Sequence, residues 1–216
     1  MDGYSILQQL FDKVIWEPVE ESRVFVQDCF NLIFTIALDG NKDMSVGNMD
    51  VLTLVVFLAT SSSHIEVRRQ GLLCIQDLLS LYPTNAVFLR ETGGITLLLS
   101  KVTAIVLSNS ANPEAEGDQE EMNYLQMLLH LLTYAAVILS NHNTEIFQAF
   151  VGIVTRTSAS PSLSSRLLMQ SLARLLMVKM SARRRFLCTQ FFIFYFFPIR
   201  TTSDEALCSK VNFCRQ

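Results

Sequence analysis

Asn85 is followed nine positions later by Gly94 and Ile95, and Asn143 is followed nine positions later by Gly152 and Ile153. The shared offset of 58 carries neighbouring apolar positions with it: Leu79 matches Val137, Leu81 matches Leu139, Phe88 matches Ile146 and Leu89 matches Phe147. An internal repeat of this length restricts the fold more than composition does, because each copy buries its apolar face only against the next. Between the copies lies 109–121, rich in Asn, Pro, Gly and acid, which reads as a solvated loop inserted into the unit. Without those 13 residues the period falls to about 45, inside the range of roughly 40 to 47 expected of stacked helical units. A fainter copy lies upstream, where Asn41 precedes Val51 as Asn85 precedes Ile95, with Asp50 at the glycine position.

The repeated material is helical. Val24, Phe25, Cys29, Leu32, Ile33, Ile36 and Ala37 fall on one broad face at period 3.6, and Gly40 with Asn41 supplies a stop. The same periodicity predicts helices over 22–38, 64–82, 94–107, 123–139, 144–155 and 163–180. Ser61 to Ser63 offer capping hydroxyls for the second of these. Only the run 51–59 is ambiguous, because 51–57 is apolar enough to be a buried strand. Gly94 and Gly152 are expected at equivalent positions, each opening a packed helix.

The run Val67, Arg68, Arg69, Gln70, Gly71, Leu72, Leu73, Cys74, Ile75, Gln76, Asp77, Leu78, Leu79, followed by Pro83, Thr84, Asn85 and then Glu91, Thr92, Gly93, Gly94, Ile95, resembles an armadillo repeat. In that family an apolar-faced helix leads through a short turn with Asn into a Glu-x-Gly-Gly-Ile step, where glycine allows a sharp turn and a close helix approach. The likeness is good over 64–102, partial over 123–180 and faint over 22–60. The second copy has Val151 before Gly152 and so lacks the double glycine, which makes a HEAT-like reading nearly as good. The resemblance implies an all-α fold: a short armadillo- or HEAT-like α-solenoid of about three to four irregular repeats. It implies a non-enzymatic scaffold that binds other proteins. Irregular repeats, Leu-rich helices and Ser-rich turns are also similar in style to the vertebrate meiosis inhibitor family of α-solenoid factors. That second likeness implies a nuclear complex of meiotic recombination, and no single residue is diagnostic of it.

Half of the 216 residues are apolar, enough to bury a sizeable core. Charged residues are only 17%, which suits a piece of a longer chain or a protein whose faces are covered. Net charge is −7 over 1–180 and +4 over 181–216. An acidic body argues against nucleic acid as a partner except through the basic stretch 166–185. Within that stretch Arg166, Arg174, Lys179, Arg183, Arg184 and Arg185 are the candidate partner-binding residues; Arg166 and Arg174, eight apart, lie near one helix face. The bland alternative is a solvated helix end whose cations complement the helix dipole.

No enzyme chemistry declares itself. His64, His130 and His142 have no second ligand at helical metal spacing, and His130 between leucines reads as a hydrogen-bonded histidine at a packing boundary. Gly93 and Gly94 lack the Lys and Ser of a phosphate loop. Cys74 sits in mid-helix beside Leu73 and Ile75, as an inert buried thiol would. The acidic cluster Glu114, Glu116, Asp118, Glu120 and Glu121 lacks calcium-loop spacing. The expectation is no catalytic, cofactor or metal site.

The five cysteines at no metal spacing suit a reducing compartment, and the first twelve residues lack the basic and apolar regions of a secretory leader. A cytoplasmic or nuclear, non-secreted protein is expected. After Arg185 the texture changes to an aromatic run from Phe186 to Phe197. The expected organisation is therefore a repeat domain over 1–180 with an acidic loop at 109–121, and an atypical Phe-rich tail over 181–216. Residues of this kind are what pyrimidine-rich codons encode, so the tail reads as an alternative ending on a longer array. A membrane contact is expected only if 186–199 anchors, with the adjacent arginines beside lipid.

Overall fold

Apolar residues recurring every three to four positions wind this chain into helices, and no strand occurs among the described residues. The computed structural model describes residues 6, 9, 11, 19–42, 44–111, 119–139, 144–157 and 162–179. They form α1 (Val19–Leu38), α2 (Met49–Ser61), α3 (Ile65–Leu81), α4 (Thr84–Glu91), α5 (Gly94–Ala111), α6 (Gln119–Leu139), α7 (Thr144–Thr157) and α8 (Leu163–Lys179). All belong to the unit Met1–Lys179. Residues 180–216, with the Phe-rich tail and Arg183 to Arg185, lie outside the described residues.

The ambiguous run is helical. In α2, Val51, Leu52, Leu54, Val55, Val56, Leu58 and Ala59 are all buried, because α1, α3, α4 and α5 all pack on it. A helix enclosed on most sides carries no polar stripe, so its period cannot be read from sequence. Asn48 caps it, accepting from the Val51 amide at 3.2 Å. Ser62 closes α2, and its hydroxyl accepts from the amide of His64, the N-cap of α3, at 3.3 Å. Upstream, Phe11 is buried and stacks on Phe30 of α1 with ring centroids 5.9 Å apart.

The helices pack in two rows. α1, α3, α6 and α8 lie side by side in that order, each touching the next, while α2, α5 and α7 form a second row behind them. Hairpin-like pairs join the rows: α2 on α3, α5 on α6 and α7 on α8. The 21-residue α6 is long and apolar enough to cross a membrane; its apolar side chains, from Met122 to Leu139, instead fill the core between rows.

Close backbone approach sets the crossing of α2 and α3. A Cβ on Gly71 would stand 2.9 Å from the Ala59 Cβ and 3.0 Å from its Cα and N, so only glycine lets the two helices meet here. The same turn of α2 anchors α6: the Tyr124 hydroxyl donates to the Ala59 carbonyl at 2.6 Å, one of the carbonyls a helix end leaves without an internal partner. The Arg68 guanidinium lies over the Tyr124 ring, 4.9 Å from its centroid. Burial pushes the Tyr124 phenol well above its ordinary range, so it stays a neutral donor.

Asn85 joins the turn after α3 to the loop after α1. Its side chain is buried; Nδ2 donates to Leu78 O at 2.6 Å and to Met44 O at 3.3 Å, and Oδ1 accepts from Val46 N at 2.9 Å. Met44 is held at φ 60, in the left-handed region, a conformation that surrounding bonds must enforce. The proposed repeat partners of Asn85 differ from it. Asn41 is exposed and bonds Ser45 across its own turn, and Asn143 lies outside the described residues.

The glycines do not occupy equivalent places. Gly94 opens α5 after a 72° break from α4, packed so tightly that a Cβ would meet Leu89 and Val56. Gly152 lies within α7 with open space around it. The residue before each explains the difference. Gly93 adopts φ +75 and breaks the chain direction, whereas its counterpart Val151 carries a branched side chain that disfavours such a turn, and the helix runs on. Both margins of the expected acidic loop 109–121 are helical, since α5 continues to Ala111 and α6 begins at Gln119; 112–118 lie outside the described residues.

Replacing Asn85 with alanine deletes three hydrogen bonds and leaves a buried amide and carbonyl unpaired. The expected cost is about 2–4 kcal/mol, a fall of roughly 5–15 °C in melting temperature by circular dichroism at 222 nm. Asn41→Ala should stay within about 0.5 kcal/mol of the parent, as exposed sites do. Equal losses in both variants would show that Asn85 is not the clamp described.

Candidate partner-binding face

The row α1, α3, α6, α8 has one side against the second row and one side turned outward. On that outward side the polar residues of each helix recur at helical spacing. Arg69, Leu73 and Gln76 come from α3; Asn123, Gln126, Met127 and His130 from α6; Leu167, Gln170, Ser171 and Arg174 from α8. Each set follows i, i+3, i+4 or i+7, so each helix presents one stripe. Together the three stripes line a groove of about 410 Å³.

A second groove of about 260 Å³ lies between α1 and α3, lined by Gln27, Phe30, Asn31 and Phe34 on one wall and Gln70, Leu73, Cys74 and Asp77 on the other. Leu73 lines both grooves, so they flank one ridge, α3, and form one face across four helices. Amide side chains recur along it, interspersed with Phe, Leu and Met.

The electrostatics change along this face. Glu66, mostly buried, accepts from Arg23 of α1 at 3.3 Å and from Arg69 at 3.2 Å, tying α1 to α3 and fixing Arg69 at the groove edge. His130 and Arg174 are exposed and enter no ion pair among the described residues. The lining between α3, α6 and α8 holds two guanidiniums, one imidazole and no carboxylate. The lining between α1 and α3 holds Asp77 and no basic group.

The expected basic residues fall only partly within the described structure. Arg166 and Arg174 are both exposed on α8, yet only Arg174 lines the groove, where it joins Arg69 and His130 rather than Arg166. Lys179 is the last residue of α8; Arg183, Arg184 and Arg185 lie outside the described residues. His130 is exposed, while Leu128, Leu129, Leu131 and Leu132 on either side of it are buried. Arg69, Gln76, Gln126, His130 and Gln170 were legible as polar stripes in otherwise apolar helices, but which stripes share a groove requires the helix order.

Among the described residues no three His, Cys, Asp or Glu side chains gather as a metal site would need. Cys74 is buried, and burial together with the nearby Asp77 pushes its thiol up to about 12, which leaves almost no nucleophilic thiolate at neutral pH. No family model matches the chain, and no curated protein or solved structure matches it.

Substituting Gln126, His130 or Arg174 singly with alanine should leave the melting temperature unchanged within about 0.5 kcal/mol of stability, because exposed groove side chains do not hold the core. A larger loss would make the groove a structural element. In the folded chain at pH 8, Cys74 should react with iodoacetamide on the order of a thousandfold slower than a free thiol, read by peptide mass mapping. Rapid labelling would place it outside the core.

Proposed function

We propose that this chain is a non-enzymatic α-solenoid scaffold of about three to four irregular armadillo- or HEAT-like units, binding a protein segment along the outward face of α1, α3, α6 and α8. One observation carries the reading: amide, arginine and histidine side chains from successive helices line two grooves that share Leu73, on the side of the row that core packing does not use. Amides there offer both a donor and an acceptor to a peptide backbone, and Leu73, Met127 and Leu167 offer apolar contact to its side chains.

The unit architecture supports the solenoid half of this reading. α4, α5 and α6 form a short helix, a bend and two long helices, as an armadillo-like unit would; α7 and α8 form a plain pair, as a HEAT-like unit would. We attach a nuclear, meiotic setting to the scaffold on likeness of style alone, and localisation of a tagged full chain in germ cells tests that separately.

A photo-crosslinking amino acid at Gln126 in the groove should capture a protein in cells, whereas the same group at Ser100, exposed on α5 in the second row, should not. Equal capture from both rows, or none from Gln126, would contradict the proposal.

A further inference from the structure

The chemistry of the face selects its occupant. We propose that the segment bound there is bipolar and extended, acidic where it crosses α6 and α8 and uncharged where it crosses α1 and α3. This rests on the scaffold reading and adds the partner's composition to it.

Charge complementarity carries the acidic half. The body is acidic, with a net charge of −7 over 1–180, yet the groove between α3, α6 and α8 contains Arg69, His130 and Arg174 without one carboxylate in its lining. Arg69 is already positioned by Glu66, whose carboxylate is 12% exposed; His130 and Arg174 have no ionic partner among the described residues. Carboxylates of a bound segment would supply one, and a bidentate pair with Arg174 is the strongest form available.

The uncharged half follows from the other groove. Phe34 and Leu73 line it together with Gln27, Asn31 and Gln70, and Asp77 is its one charged group. A basic segment would suit Asp77 and be repelled by Arg69 and Arg174; an all-acidic segment would suit the arginines and be repelled by Asp77. Only a segment whose acid ends before α3 satisfies both ends. Nucleic acid carries its charge evenly along its length and meets the same objection at Asp77.

Length is set by the helix row. Four helices at interaxial distances of about 8–10 Å span roughly 25–30 Å, which an extended chain crosses in about eight or nine residues. The amides of Gln76, Gln126 and Gln170 stand along that path, ready for backbone bonds whatever the side chains.

The test uses the full chain and fluorescein-labelled ten-residue peptides followed by anisotropy. One probe joins a block of four glutamates to a Leu and Phe block, made in both orders; a second has lysines for the glutamates; a third has serines for the apolar block. A labelled single-stranded oligonucleotide is the fourth. The Glu–apolar probe in one order should bind at least tenfold tighter than the Lys–apolar probe and the oligonucleotide. Arg174→Glu should weaken it tenfold or more, and Leu73→Ser should weaken it severalfold while leaving the Glu–Ser probe unchanged. Both substituted residues are exposed; should either variant melt early, Gln126→Glu replaces Arg174→Glu as the charge test. Equal binding of the lysine probe, preference for the oligonucleotide, or indifference to Arg174→Glu overturns the proposal. Capture at Gln126 of a protein whose crosslinked segment has no acidic block overturns the bipolar chemistry and leaves the scaffold standing, whereas absence of any capture overturns both.

Discussion

The buried side chain of Asn85 determines how neighbouring helical pairs sit on one another. An amide is the smallest side chain that offers two donors and an acceptor in one plane, and Asn85 uses all three functions: toward Leu78 at the end of α3, and toward Met44 and Val46 in the loop between α1 and α2. The loop of one helical pair is thereby fixed to the turn of the next. The junction of Ala59, Gly71 and Tyr124 does the same work at the opposite end of α2, where a missing Cβ sets the distance and a phenol takes up a helix-end carbonyl. With these two joints in place, α1, α3 and α6 have fixed order and their outward stripes come into line.

Much of this was legible in the sequence. Period 3.6 located six of the eight described helices, usually within a few residues of their ends, although in α1 it marked largely the wrong face, since Val24, Phe25, Leu32 and Ile36 are exposed. α4 was hidden as a turn: an eight-residue helix offers barely two turns of pattern. The repeat marked Asn85 and Gly94 correctly as special positions, but extended their roles too far. Asn41 shares the residue without the burial, and Gly152 shares the glycine without the preceding Gly93 that breaks the helix. A motif residue acts through its neighbours' backbone, which an offset does not record.

The candidate face was half legible. Arg174 was singled out from its charge together with Arg166 along the chain, and in the structure it also lines a groove with Arg69 and His130 from other helices. His130 illustrates the limit. Four leucines around it suggest burial, yet a helix turns 100° per residue, so one position among buried neighbours points outward.

Everything functional in this account depends on α1, α3, α6 and α8 forming a row rather than closing into a bundle. The direct measurement is a pulsed dipolar distance between spin labels introduced as genetically encoded residues at Asn31 on α1 and Gln170 on α8, both exposed. A row of four helices predicts a single narrow distribution centred at roughly 25–30 Å, about three interaxial steps. A centre near one step, at about 10 Å, or a broad distribution without a maximum, would mean that α1 and α8 are neighbours or unfixed, and that the continuous face does not exist.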